Sequence, residues 1–245
     1  MKMPATTSCC SGLPFGLVSI HSKNRLPLKV YFISGIGADK RLFSYIELPL
    51  AFDPEYIEWI PPGENESLSA YAIRLFTPYY SNMPFILIGL SLGGMVAIEI
   101  AKQFPPVCTV IISSVPLSGQ LPPYYKLAGK LNLQRHIPAG FFKITATVKN
   151  SIFMKSWTNK KLMWRVIRDG NSRFIKWGMN AVLSWRNDVL PRPLNHIHGT
   201  RDEVFPVKYA KPTHVIHKGG HLLVLNHAEA INKILQEILL PYQGD

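Results

Sequence analysis

The stretch that most constrains this chain is residues 84–101, Pro-Phe-Ile-Leu-Ile-Gly-Leu-Ser-Leu-Gly-Gly-Met-Val-Ala-Ile-Glu-Ile-Ala. It reads as a buried strand that runs directly into a helix through a sharp turn carrying Ser91. Gly89 and Gly93 flank the serine at two residues on either side, and Gly94 adds further room, so strand and helix can approach without side-chain collision. A serine at such a junction is held in a strained backbone conformation with its oxygen exposed, which is how a nucleophile is presented. The strand before and the helix after give the Gly-x-Ser-x-Gly pattern a mechanical meaning that an accidental match would lack.

The surrounding pattern extends this unit. Residues 28–33, Leu-Lys-Val-Tyr-Phe-Ile, form a β-branched and aromatic run that stops at Ser34-Gly35-Ile36-Gly37. A short helix is expected over 39–47 with Asp39 as its cap, and a strand over 55–60 ending at Pro61-Pro62-Gly63. Ser67 to Tyr80 carries a helical stripe of Leu68, Tyr71, Ala72 and Leu75. Strands follow at 84–89 and 107–113, with a helix between them that runs to about Gln103 and stops at Pro105-Pro106. Further strands are expected at 193–197 and 213–217, then a final helix from Ala228 to Leu239 with Ile231, Ile234, Leu235 and Ile238 on one stripe. Alternating strands and helices predict an α/β protein with a mostly parallel central sheet flanked by helices. In such a sheet the ligand lies at the carboxyl ends of the strands, where Ser34 to Gly37 and Ser91 both fall.

The alternation lapses between Pro116 and Leu190. This segment reads as helical pieces, with Thr158 starting one helix and Asn171 or Ser172 another, and it is expected to form an inserted helical cap over residues 117–190. The core is then 28–116 together with 191–245, and residues 1–27 form an N-terminal extension. Trp157, Trp164, Trp177 and Trp185 all lie in the cap; they either attach it to the body or line an apolar pocket above Ser91. The cap also holds thirteen lysines and arginines against Asp169 and Asp188, so it carries most of the net charge of +12. That charge favours anionic partners without choosing among them, and no nucleic-acid-binding motif accompanies it.

Other features narrow the class. An apolar fraction of 47% with 17% charged residues excludes a disordered chain, and no apolar run approaches the roughly 18 residues that span a bilayer, so integral membrane association is not expected. Cys9, Cys10 and Cys108 are odd in number and lack metal-ligand spacing, which points to a reducing, cytoplasmic location without a disulfide framework or a cysteine metal site. The apolar patch Phe15 to Ile20 is short and has no small-residue cleavage site after it; a loose extension is the reading, with a cleaved signal peptide as the alternative.

A serine hydroxyl needs a base to take its proton, and the base needs a third group to fix its tautomer and balance its charge. Asp202 and His221 each follow a strand by a few residues and can reach the same edge as Ser91, in the order Ser, Asp, His. His198, His217 and His227 compete with His221 for the base, and Glu203 and Asp188 with Asp202 for the acid. Ser113 and Ser114 also follow a strand, but Val115-Pro116 blocks a helix there; Cys108 lies in mid-strand.

Three motifs, Gly89 to Gly93, His198-Gly-x-x-Asp202-x-x-x-Pro206, and Gly219-Gly220-His221, give the chain from about residue 28 to 240 a resemblance to the α/β-hydrolase superfamily, in particular its small capped esterase and thioesterase-like members. The resemblance implies Ser91 as nucleophile, His221 as general base, Asp202 as its orienting carboxylate, and no cofactor. It implies an oxyanion hole from the N–H of Leu92 and that of Ile36, with Gly37 as the alternative. Family members usually carry His-Gly where this chain has Ser34-Gly35. The expected substrate is a small acyl ester or thioester, and the basic cap would suit an anionic one such as a coenzyme thioester. A lyase-type reaction on the same triad, and a non-catalytic ligand-binding protein on the same scaffold, are the alternatives.

Overall fold

The computed structural model describes residues 27–131 and 156–243. The expected N-terminal extension lies outside these residues except for Pro27, as do Cys9, Cys10 and, in the basic segment, Arg135, Lys143, Lys149 and Lys155.

Six strands, β1 (Leu28–Ile33), β2 (Phe52–Ile57), β3 (Phe85–Leu90), β4 (Cys108–Ile112), β5 (Leu194–Gly199) and β6 (His214–Ile216), form one sheet in the order β2-β1-β3-β4-β5-β6. Every neighbouring pair is parallel, so all the carboxyl ends lie along one edge. The central strands β3 and β4, and most of β1, are near-continuous apolar runs because both of their faces are covered. On one face Tyr31, Ile33, Leu87 and Ile111 meet α1 (Leu68–Phe76), α2 (Leu92–Gln103) and, further out, α5 (Ser172–Ser184). On the other, Val30, Phe32, Ile86, Ile88, Val110 and Ile112 meet α4 (Trp157–Asp169), α7 (Leu223–Asn226) and α8 (Ala228–Leu239). The period of two along each strand assigns its side chains to these two layers. Two further helices, α3 (Pro123–Lys130) and α6 (Val207–Ala210), complete the described elements of this type.

β2 begins and ends three residues earlier than expected. Pro54 breaks the sequence pattern, but β2 is an edge strand paired only with β1, and there a missing N–H costs no ladder bond. The register Leu28↔Phe52 through Ile33↔Ile57 then sets its limits. α1 stops at Phe76 rather than running to Tyr80, because Pro78 cannot continue it; a 3₁₀ turn over Thr77–Tyr79 follows. The expected helix over 39–47 is a single 3₁₀ turn, Lys40–Phe43, capped by Asp39, whose carboxylate accepts the Arg41 N–H at 2.9 Å.

α2 is apolar on nearly every side, since sheet, α1 and the end of α5 enclose it. Its one buried carboxylate, Glu99, accepts the indole N–H of Trp185 at 2.8 Å and lies 2.8 Å from Lys102 Nζ, which also donates to Asn187 at 3.0 Å. This charge-assisted set fastens the chain that follows α5 to the core. Asn187 adds a bond from its amide to the Pro116 carbonyl at 2.8 Å, tying together the two ends of the segment between β4 and β5.

The junction at Ser91 is the tightest place in the fold. A Cβ on Gly89 would collide with the backbone of Gly93, and one on Gly93 with the carbonyls of Ile33 and Ser34. A Gly93→Ala variant should therefore lose about 1–3 kcal/mol of unfolding free energy in urea titration. Gly119→Ala, with open space around it, should stay within about 0.5 kcal/mol of the parent.

Candidate active site

Ser91 has φ 55° and ψ −118°, a left-handed conformation that costs a residue with a side chain on the order of 1–3 kcal/mol. Backbone bonds hold it there: its N–H donates to the Ile112 carbonyl at 2.9 Å, and its carbonyl accepts the Gly94 N–H at 3.0 Å and the Ser114 hydroxyl at 2.7 Å. The geometry turns the Ser91 hydroxyl away from the strand toward the carboxyl edge of the sheet.

The loops after β5 and β6 bring two partners to it. His221 Nε2 lies 2.9 Å from Ser91 Oγ, and His221 Nδ1 lies 2.9 and 3.1 Å from the two oxygens of Asp202. A carboxylate can only accept, so Nδ1 carries the imidazole proton and Nε2 is free to accept the serine hydroxyl. Asp202 is buried and also accepts the N–H groups of Val204 and Phe205 at 2.9 and 2.8 Å. Burial pushes its carboxyl up, but the nearby His221, the hydrogen bonds from His221 and Phe205, and His198 together bring it below its ordinary value, so it is ionised at neutral pH. Of the competing residues, Glu203 accepts the backbone N–H of His221 at 3.3 Å and Ser114 buttresses the Ser91 carbonyl.

His198 has a different place. It is fully buried, and its Nε2 lies 2.7 Å from the Phe205 carbonyl and 3.4 Å from Asp202 Oδ2. Since the carbonyl only accepts, Nε2 carries the proton, and the bare Nδ1 accepts from His196 Nε2 at 3.1 Å. His198 thus holds the Val204–Phe205 turn whose N–H groups hold Asp202. In the sequence His198 stands as a rival base and as the first residue of the acid-loop motif; its position two residues from His196 on one face of a strand is the signal for a bracing role.

The loop after β1 closes on itself: Ser34 Oγ donates to the Ala38 carbonyl at 2.7 Å, and the Ala38 N–H donates to the Gly35 carbonyl at 3.1 Å. Ser34 therefore gives this loop a hydroxyl brace, and the Ile36 N–H is not used by the turn. Leu92 is the first residue of α2, so its N–H is one of the donors a helix leaves without an internal partner. Gly37 has φ 65°, and a Cβ there would strike Ile175. Gly178 lies against the side chains of Ile36 and Leu92, which places α5 directly over both.

The four tryptophans between β4 and β5 separate. Trp185 is buried on Glu99; Trp177 packs on Tyr71, with ring centroids 4.3 Å apart, and donates to the Glu66 carbonyl at 2.9 Å. Trp157 and Trp164 are exposed. A cleft of about 380 Å³ adjoins the β1 loop through Gly37 and Ala38, and it is lined by Trp59 rather than by any of the four. Tyr56, Ile60, Phe174, Lys40 and Arg173 also line it; Ser91 does not. Among the described residues no group of three or more His, Cys, Asp or Glu side chains could hold a metal ion.

The arrangement can transfer a proton from Ser91 to His221. It also contains two buried imidazoles: burial and the adjacent His198 lower His196 to about 3, and burial lowers His198 as well. A folded-state value below the unfolded value near 6.5 means the unfolded chain binds more protons, so stability present above pH 6.5 is lost as pH falls toward the folded value. Unfolding free energy should drop below pH 6.5 by about 1.4 kcal/mol per pH unit for each histidine kept neutral. A His196→Gln variant, measured by denaturant titration at pH 7, 6 and 5, should show a shallower slope.

The sequence matches the family model described as the alpha/beta hydrolase family over residues 30–234. Among solved structures, a thermophilic esterase from Thermogutta terrifontis is similar at 16% identity, covering 89% of this chain and 91% of that one, with a TM-score of 0.67. A structure from Nitrososphaera gargensis reported with carboxylesterase activity profiles is similar at 16% identity over 87% and 90% of the two chains, TM-score 0.69. A bromoperoxidase from Bacillus anthracis is similar at 16% identity over 87% and 92%, TM-score 0.64. At these identities the likeness is one of fold. No curated protein matches the sequence.

Proposed function

The chain belongs to the alpha/beta hydrolase family, and on that premise we propose that it is a serine hydrolase cleaving an ester or thioester through an acyl-serine intermediate. The observation that carries this reading is the unbroken chain from Ser91 Oγ to His221 Nε2 at 2.9 Å and from His221 Nδ1 to the buried Asp202 at 2.9 Å. His221 takes the hydroxyl proton as Ser91 attacks the acyl carbon, and Asp202 balances the imidazolium that forms. The N–H of Leu92 and that of Ile36, or of Gly37, stabilise the oxyanion. His221 returns the proton to the leaving alcohol or thiol, and a water activated by the same imidazole then releases the acid. Each N–H donor is worth roughly 100- to 1000-fold in rate. The similarity to esterases at the level of fold is consistent with an ester substrate but adds nothing about its identity.

The helical segment between β4 and β5 is read as a cap. Its helix α5 lies on Ile36 and Leu92, which supports a role in covering the reacting carbonyl. Lys40 and Arg173 at the cleft have no ion-pair partner among the described residues, and they support an anionic substrate.

A fluorophosphonate probe should label Ser91, and Ser91→Ala should lower kcat on short esters or acyl thioesters by at least about 10⁴-fold. An unlabelled parent, with Ser91→Ala matching it in activity, would overturn the reading. Hydrolysis must also place solvent ¹⁸O in the acid product, which a lyase reaction would not. For an anionic thioester, raising the salt should raise KM while leaving KM for a neutral ester unchanged.

A further inference from the structure

α4 has two unlike faces. Asn159, Met163 and Val166 are buried, with Leu162 and Ile167 half-buried beside them, and the Asn159 amide donates to the Leu225 carbonyl at 3.0 Å. These contacts fasten the helix to the body. The opposite face carries Trp157, Lys161, Trp164, Arg165 and Arg168, all exposed and spaced so that they fall within one stripe of the helix. Trp157 is 78% exposed and Trp164 51%, with the Arg168 guanidinium 5.0 Å from the Trp164 ring centre.

This placement is unusual for tryptophan in this molecule. Trp59, Trp177 and Trp185 each donate the indole N–H to a protein oxygen, at 3.3, 2.9 and 2.8 Å. Trp157 and Trp164 donate to none among the described residues. The acid nearest the stripe, Asp169, pairs with Arg41 and with the stripe's own Arg168, at 2.9 and 3.1 Å; Lys161 and Arg165 have no ion-pair partner among the described residues, so the face stays cationic.

We propose that the outward face of α4 docks on an anionic phospholipid surface. Tryptophan rings settle at the boundary between headgroups and acyl chains, with the ring body in the apolar layer and the N–H at the headgroups. Lysine and arginine on the same face extend their stems along the rings and place their charges at the phosphates. A second copy of this chain is disfavoured as occupant, because a net charge of +12 repels itself. A nucleic-acid strand needs a groove to follow its backbone, whereas this stripe lies on the outside of a helix and contributes nothing to the cleft beside it. The contact proposed is with one outward helix face and is peripheral; no helix among the described residues is long and apolar enough to cross a membrane.

The proposal is independent of the hydrolase reading, and co-sedimentation of the full-length chain with vesicles tests it. The protein should pellet with vesicles of equal parts phosphatidylglycerol and phosphatidylcholine, and remain in solution with phosphatidylcholine alone. Trp157→Ala with Trp164→Ala should abolish pelleting with circular dichroism unchanged. Lys161→Gln and Arg165→Gln should each weaken it roughly fivefold, whereas Lys208→Gln with Lys233→Gln, exposed elsewhere, should stay within about twofold. Ser91→Ala should pellet like the parent, which separates a failure of docking from a failure of the hydrolase reading. Equal binding to both vesicle types, equal losses in the control pair, or retention by the tryptophan variant would overturn the proposal. So would tight binding to a single-stranded oligonucleotide with no binding to vesicles.

Discussion

The packing of α2 against the ends of β1 and β3 is the constraint on which the rest of the structure depends. The helix starts so close to the strands that only glycine fits at positions 89 and 93, and this closeness forces Ser91 into its left-handed conformation. The cost of that conformation is met by burial on both sides of the sheet, because α2 itself is enclosed from Leu92 to Ala101. A rigid apolar body thus holds a strained serine at its edge. Relaxing the strain would require separating a buried helix from a buried sheet.

Around this junction the polar groups are arranged in layers that satisfy one another. Asp202 is held by the Val204 and Phe205 N–H groups, Phe205 is held by His198, and His198 accepts from His196. Asp202, His198 and His196 are buried, so the hydrogen bonds they make are made within the protein. The same principle fastens the segment between β4 and β5, where Trp185, Glu99, Lys102 and Asn187 form a partly buried set on α2. α5 is consequently fixed over Ile36 and Leu92 from two directions, by Gly178 at its middle and by Trp185 just past its end.

The parallel sheet was legible because its central strands are buried on both faces and alternate with helices, of which α1 and α8 carry a single apolar stripe. The limits of α2 and α8 followed from proline stops and the apolar period. β2 was misplaced by three residues, since an edge strand tolerates Pro54 in a way that a sequence pattern does not reveal. The glycine spacing at 89 and 93 and the order of Ser91, Asp202 and His221 were enough to expect these three side chains at one edge, and they lie there within hydrogen-bonding distance of each other in turn. What could not be read was the fate of the tryptophans. Trp59, outside the expected cap, lines the cleft, while Trp157 and Trp164 face outward.

The sequence by itself determined the period of the strands, the breaks made by proline and the places where only glycine can stand, because these are properties of the local backbone. Tertiary structure decided that His198 braces the acid loop while His221 reaches Ser91. His198 lies within β5 beneath the acid loop and His221 in the loop after β6, and that difference of place gives one access to the serine and buries the other completely. It also decided which face of α4 meets the protein, since Met163 and Val166 are buried in the apolar layer that distant segments of the chain build together. Burial and reach are relations between distant segments, and a local pattern carries no record of them.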